Sequence, residues 1–169
     1  LMAEPGQIIG MPAFAAELGI SRQTLSAYLT YLEDAFLIRK LYNYSKNRRK
    51  VERKLKKYYP AFLWPDLSFK EDALSQSRAF ETAVVNLLDA EFFWRDEYKN
   101  EVDVVQGNGD PQPIEIKHGK VELGGVRAFL RKFKTGNGLI ISRSVEEEKT
   151  VDGKAISVVP AWRYFLTDR

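Results

Sequence analysis

The side chains best suited to chemistry lie in two neighbouring segments: Glu101 and Asp103 in NEVDVV, and Glu115 and Lys117 in PIEIK. Between them stands Gly107-Asn108-Gly109-Asp110, a run of residues that tolerate the positive φ angles of a tight hairpin turn. A turn centred near Gly109 sets Asp103 opposite Glu115 and Glu101 opposite Lys117. Side chains alternate along a strand, so Val102, Val104, Ile114 and Ile116 then share one face and Glu101, Asp103, Glu115 and Lys117 the other. Carboxylates facing each other across a ladder destabilise a sheet by up to roughly 1 kcal/mol. A bound divalent cation reverses that sign, and Mg²⁺ in particular takes one or two carboxylates plus the oxygens of a phosphate substrate. A lysine beside them can stabilise developing negative charge or orient a water. The same pattern also suits the solvated face of an ordinary hairpin, with Glu101 and Lys117 as a cross-strand ion pair.

The elements that must position these groups follow from periodicity. Ser75 or Ser77 can cap a helix running to about Glu91, with Phe80, Val84, Leu87 and Leu88 on its apolar stripe and Glu81 bordering it. Phe92 to Arg95 reads as a strand, then come the hairpin, a helix over Leu123 to Phe133, and buried strands over Leu139 to Ser142 and Ile156 to Pro160. Trp162 to Leu166 closes the chain. Arg127, Arg131 and Lys132 on the second of these helices are either substrate contacts or solvated surface.

The first third has a different character. Pro12 to Leu18 suits a short helix, Gly19 a turn, and Ser21 the cap of a second helix to about Ala35, with Leu25, Tyr28, Leu29, Leu32 and Phe36 as its apolar stripe. Its early outer face carries Arg22, Gln23 and Ser26, as in a helix-turn-helix that reads a major groove or merely packs on protein. Leu37 to Tyr44 and Lys50 to Tyr59 then read as the two strands of a wing. From Leu37 to Pro60 there are ten Lys or Arg, among them Lys46, Arg48, Arg49, Lys50 and Arg53, against the single acid Glu52, whereas the whole chain is only +3. Interleaved with Tyr42, Tyr44, Tyr58 and Tyr59, such a segment suits phosphate contacts, a solvated wing or an acidic partner domain. Pro65 breaks the pattern between Ala61 and Asp72, where Phe62, Leu63, Trp64 and Phe69 are expected to pack the two halves together. The expected division is 1–60, a linker at 61–74, and 75–169.

Composition narrows the chemistry. With 44% hydrophobic and 29% charged residues the chain reads as a globular protein. The absence of cysteine excludes disulfides and thiolate metal sites, and the single histidine, His118, makes a His-rich zinc site improbable. No signal peptide or long apolar run is evident, so the expected location is the cytoplasm.

Asp103 followed by Glu115-Ile116-Lys117 resembles the PD-(D/E)XK motif of restriction-endonuclease-like and Holliday-junction-resolvase-like nucleases. The resemblance implies an α/β fold, with a winged helix-turn-helix followed by an α-β-β-β-α-β nuclease-like domain around a mixed sheet. It also implies Mg²⁺ held by Asp103 and Glu115, with Glu81 of the preceding helix joining them and Lys117 beside the reacting phosphate. Over nearly its full length the chain also resembles the domain of unknown function C-terminal to the AAA-type ATPase domain of prokaryotic ATP-binding proteins. The segments that carry this are LMAEPGQII, LGISRQTLSAYLTYLEDAFLIRKL, SRAFETAVVNLL, and EVDVV followed by PIEIKHG. That family implies a P-loop ATPase domain before Leu1, and with it the ATP, since GxxxxGK[ST] does not occur in this sequence. DNA, the ATPase domain and a second copy of the chain are the partners expected. Two functions stay open: a Mg²⁺-dependent DNA endonuclease, or a catalytically inactive nuclease-like module that binds DNA or protein.

Overall fold

The computed structural model describes residues 4–47, 51, 55–63, 65, 69–107 and 109–167. Its elements are β1 (Gln7–Ile9), α1 (Met11–Glu17), α2 (Arg22–Asp34), β2 (Ile38–Asn43), β3 (Lys56–Pro60), α3 (Ala73–Leu87), β4 (Phe92–Arg95), β5 (Glu101–Val102), β6 (Val104–Gln106), β7 (Gln112–Lys117), α4 (Gly124–Phe133), β8 (Asn137–Ser142), β9 (Glu147–Val151), β10 (Lys154–Pro160) and α5 (Ala161–Thr167). They form a mixed α/β fold with two sheets, ordered β1-β3-β2-β4-β5 and β6-β7-β8-β10-β9. In the first sheet only β2 and β4 run parallel; in the second, β7, β8 and β10 run parallel and the outer pairs antiparallel.

The N-terminal helices follow their sequence signals closely. Gly19 takes φ +66° in the turn, and the Ser21 hydroxyl accepts the Thr24 amide at 3.0 Å to start α2. Leu25 and Leu29 are buried with Ile9, Ala15, Ile38 and Tyr58. The expected stripe is too wide, however: Tyr28 is 54% and Phe36 84% exposed. Helix α2 packs on α1 and β2 along one narrow face, and Phe36 lies beyond the helix end at φ +56°.

Helix α3 starts differently from the expectation. The Asp72 carboxylate, not Ser75 or Ser77, caps it by accepting the Ser75 amide at 2.8 Å, which leaves Ser75 buried in the first turn. The helix stops at Leu87 and Asp89 turns the chain at φ +49°, so Glu91 lies beyond the helix and Leu87 points to solvent. Val84 faces the core as expected, together with Val85, against Leu41, Tyr59, Phe93, Ile114 and Ile141. In the segment before α3, Phe69 is 84% exposed. Strands β1 and β9 were not apparent from the sequence. β1 has only three residues, and β9 is a charged edge strand without an apolar face.

The hairpin turns where expected, pairing Val104 with Ile114, Val105 with Pro113 and Gln106 with Gln112. Gly107, at φ +102°, fits this turn because a Cβ there would lie 2.7 Å from the Asp110 carbonyl oxygen. At Asp103 the ladder ends. Val102 and Glu101 leave β7 and pair with Trp94 and Arg95 of β4 in the other sheet. Val102 and Val104 are both fully buried, but the first packs on Trp94 and Phe129 and the second on Ile114 and Ile116. The expectation of one apolar face and of a Glu101 to Lys117 pair is thus corrected. Its physical reason is that Asp103 Oδ2 accepts the Ile116 amide at 2.9 Å, taking the place of a strand partner and letting the chain swing away.

Candidate functional site

Strand β3 is buried on both faces. Its alternation sends Tyr58 into the core under α1 and α2, and Lys57 and Tyr59 to the opposite side against α3. There the Lys57 ammonium, on a side chain only 5% exposed, lies 2.8 Å from Glu101 Oε1, 3.2 Å from Glu81 Oε1 and 3.4 Å from Asp103 Oδ1. The Tyr59 hydroxyl donates to the same Glu81 oxygen at 2.6 Å. Gly6, at φ +75°, forms the roof: a Cβ there would stand 3.2 Å from both Glu81 Oε1 and Lys57 Cε. Burial works against the Lys57 charge, but Tyr59, Glu81, Asp103 and Glu101 outweigh it and hold the pKa well above the ordinary value. Burial and the Asp103 charge raise Glu81, against the opposing pull of Lys57 and the Tyr59 hydrogen bond.

Glu115, on β7, forms the other end of the cluster. Its Oε1 accepts Lys117 Nζ at 2.8 Å, while Oε2 is buried with no hydrogen-bond partner. Burial first, and then the negative charge of Asp103, push its pKa up to about 8, although Lys117 and Lys57 pull the other way. The first turn of α4 closes over this carboxyl. A Cβ on Gly125 would collide with the Glu101 carbonyl oxygen and lie 3.5 Å from Glu115 Oε2, so only glycine permits this approach. Arg95, from the strand next to β5, reaches Glu101 Oε2 at 3.4 Å.

The structure therefore brings Glu81, Glu101 and Asp103 together on Lys57, with the Glu115 to Lys117 pair electrostatically coupled to Asp103. Lys57, Tyr59 and Arg95 are the members that sequence reasoning missed. Charge counting places Lys57 in the basic segment 37–60, yet its alternation with Tyr58 in KKYYP carries a signal of inward orientation. Among the described residues no three His, Asp or Glu side chains are disposed to hold one metal ion. Glu81 Oε1 is committed to Lys57 and Tyr59, and Asp103 is divided between Lys57 and the Ile116 amide. The chemistry nonetheless fits a hard cation at one atom: Glu115 Oε2 is a buried, unpartnered carboxyl oxygen, on a group whose pKa is raised by burial and then by the Asp103 charge.

Arg22, Gln23 and Ser26 are exposed at the start of α2 and border, with Met11 and Ser21, a depression of about 530 Å³. Lys46 is exposed and lines, with Lys40, Tyr42, Tyr44 and Phe92, a groove of about 1170 Å³. Arg48, Arg49, Lys50 and Arg53 lie outside the described residues. Part of the positive charge of residues 37–60 is used internally: Lys57 in the acid cluster, Arg39 on Asn86 and Asp89, and Lys40 on Glu33. His118 approaches Arg143 Nη1 at 3.0 Å and packs its ring near Phe80, and Arg127 forms a two-pronged pair with Asp152.

Residues 1–61 match the family model of a domain of unknown function (DUF8612). No curated protein and no solved structure matches the chain. The matched segment contains Gly6, Lys57 and Tyr59, whereas every carboxylate they meet lies beyond it. No helix among the described residues is long and apolar enough to cross a membrane.

Proposed function

We propose that the chain is a nucleic-acid-binding module of winged-helix and nuclease-like build, whose acid site hydrolyses phosphodiester bonds with the help of a divalent cation. The observation that carries this reading is the buried, unpartnered Oε2 of Glu115 beside Asp103, on a motif of the spacing D…ExK. Asp103 and Glu115 would hold Mg²⁺, with Glu81 supporting the site through Lys57. The bound cation would supply positive charge to the phosphate and its leaving oxygen. Lys117, 26% exposed and hydrogen-bonded to Glu115, stands where it can position water or neutralise the scissile phosphate. Helix α2 would present the duplex through Arg22, Gln23 and Ser26, with Lys46 adding a phosphate contact. The element order supports the nuclease-like assignment: α3 precedes the motif strands, and α4 with the parallel strand β8 follows them. In the full protein an ATPase domain would precede this module.

The test is cleavage of supercoiled and branched DNA by the purified chain with Mg²⁺ or Mn²⁺. Nicking that disappears in Asp103→Ala and in Glu115→Ala is the expected result, and cleavage indifferent to both substitutions refutes the assignment. A second reading, an inactive nuclease-like module that binds DNA or protein, is favoured by one observation: the Lys57 ammonium already neutralises the carboxylates. Salt-sensitive DNA binding together with no calorimetric signal for Mg²⁺ or Mn²⁺ would establish it.

A further inference from the structure

We infer that Lys57 is the resident cation of the acid site and that a divalent ion gains Asp103 only by displacing it, so that strand β3 sets the site's affinity for metal. The inference rests on the preceding reading of Asp103 as a metal ligand. Three acidic residues from two separate elements, Glu81 on α3 and Glu101 and Asp103 at the β5 edge, direct one oxygen each to a single ammonium. With Lys57 in place, Asp103 Oδ1 is occupied and Oδ2 is held by the Ile116 amide. A divalent ion would raise the local charge by two beside an ammonium 3.4 Å from Asp103 Oδ1, a repulsion that a buried site screens poorly. Lys57 is well suited to leave. Its four-carbon stem is flexible, and it reaches the carboxylates from a strand outside the motif, so its withdrawal would leave Asp103 still bound to the Ile116 amide and Glu115 to Lys117. Gly6 leaves the roof thin above its Cε, where a side chain would otherwise hold the stem.

The experiment uses Mn²⁺ alone as the probe, by calorimetry and by thermal shift, on the whole chain and on Lys57→Met and Lys57→Arg. Lys57→Met should bind Mn²⁺ at least tenfold more tightly than the native chain, and its Tm should rise with Mn²⁺ by more than that of the native chain. Lys57→Arg, which keeps the resident charge, should stay near the native affinity. Mn²⁺ affinity in Lys57→Met equal to or below native overturns the inference. If native binding is then still abolished by Asp103→Asn, the metal reading itself survives. Failure of both the native chain and Lys57→Met to bind Mn²⁺ removes the metal reading and the inference with it. Should Lys57→Met not fold, acetylation of Lys57 in the native chain decides: its rate rises severalfold at saturating Mn²⁺ if the ammonium is expelled, and an unchanged rate overturns the inference.

Discussion

Lys57 and Lys117 both stand beside carboxylates of one cluster, and the difference between them separates structure from chemistry. Lys57 is 5% exposed and answers three acids; Lys117 is 26% exposed and answers one, leaving Glu115 Oε2 with none. The first end is electrically complete and holds β3 to α3 and β5. The second is incomplete, and an incomplete buried polar group is where a ligand gains most.

The contrast can be broken in order of expected effect. Lys57→Met strips the cation from three acids and, in metal-free buffer, should destabilise the chain by about 3–5 kcal/mol in chemical denaturation, as for one broken member of a buried ion pair. The Glu115 end should instead report through pH. Its folded pKa of about 8 lies above the ordinary 4.5, so the native state binds the extra proton. Stability from this group is complete below about pH 4.5 and is lost as pH rises towards 8, with a slope of at most about 1.4 kcal/mol per pH unit. In Glu115→Gln that slope should vanish between those limits, and an unchanged pH profile would show that Glu115 is ionised in the native chain. Gly125→Ala, which forces α4 off the Glu101 carbonyl, should cost about 1–3 kcal/mol. The smallest effect is expected at the opposite roof: Gly6→Ala meets softer neighbours at 3.1–3.2 Å, and its positive φ should cost about 1 kcal/mol in thermal unfolding.

Local signals in the sequence were legible where one element determined them. Ser21 capped its helix, Gly19 made its turn, and the hairpin centred itself on Gly109, because each depends on residues a few positions apart. Phe92 to Arg95 formed its strand as read, but joined β2 of the first sheet in parallel. The departure of the chain at Asp103 could not be read in the same way. It depends on a side chain outcompeting a strand partner for the Ile116 amide and on β4 receiving the released residues. Of the site, Glu81, Asp103, Glu115 and Lys117 were visible as residue types at suggestive spacing. Lys57 was hidden by its neighbours, since charge counting treats a run of basic residues as one solvated surface while strand alternation turns individual members inward.

The swing of the backbone at Asp103 makes this residue a mechanical joint. One carboxylate is pinned to β7 through an amide and to β3 through an ammonium, and these strands belong to different sheets. A sliding of one layer against the other therefore stretches one of its two tethers first. The Glu115 to Lys117 pair bridges no such boundary, since both residues ride on β7.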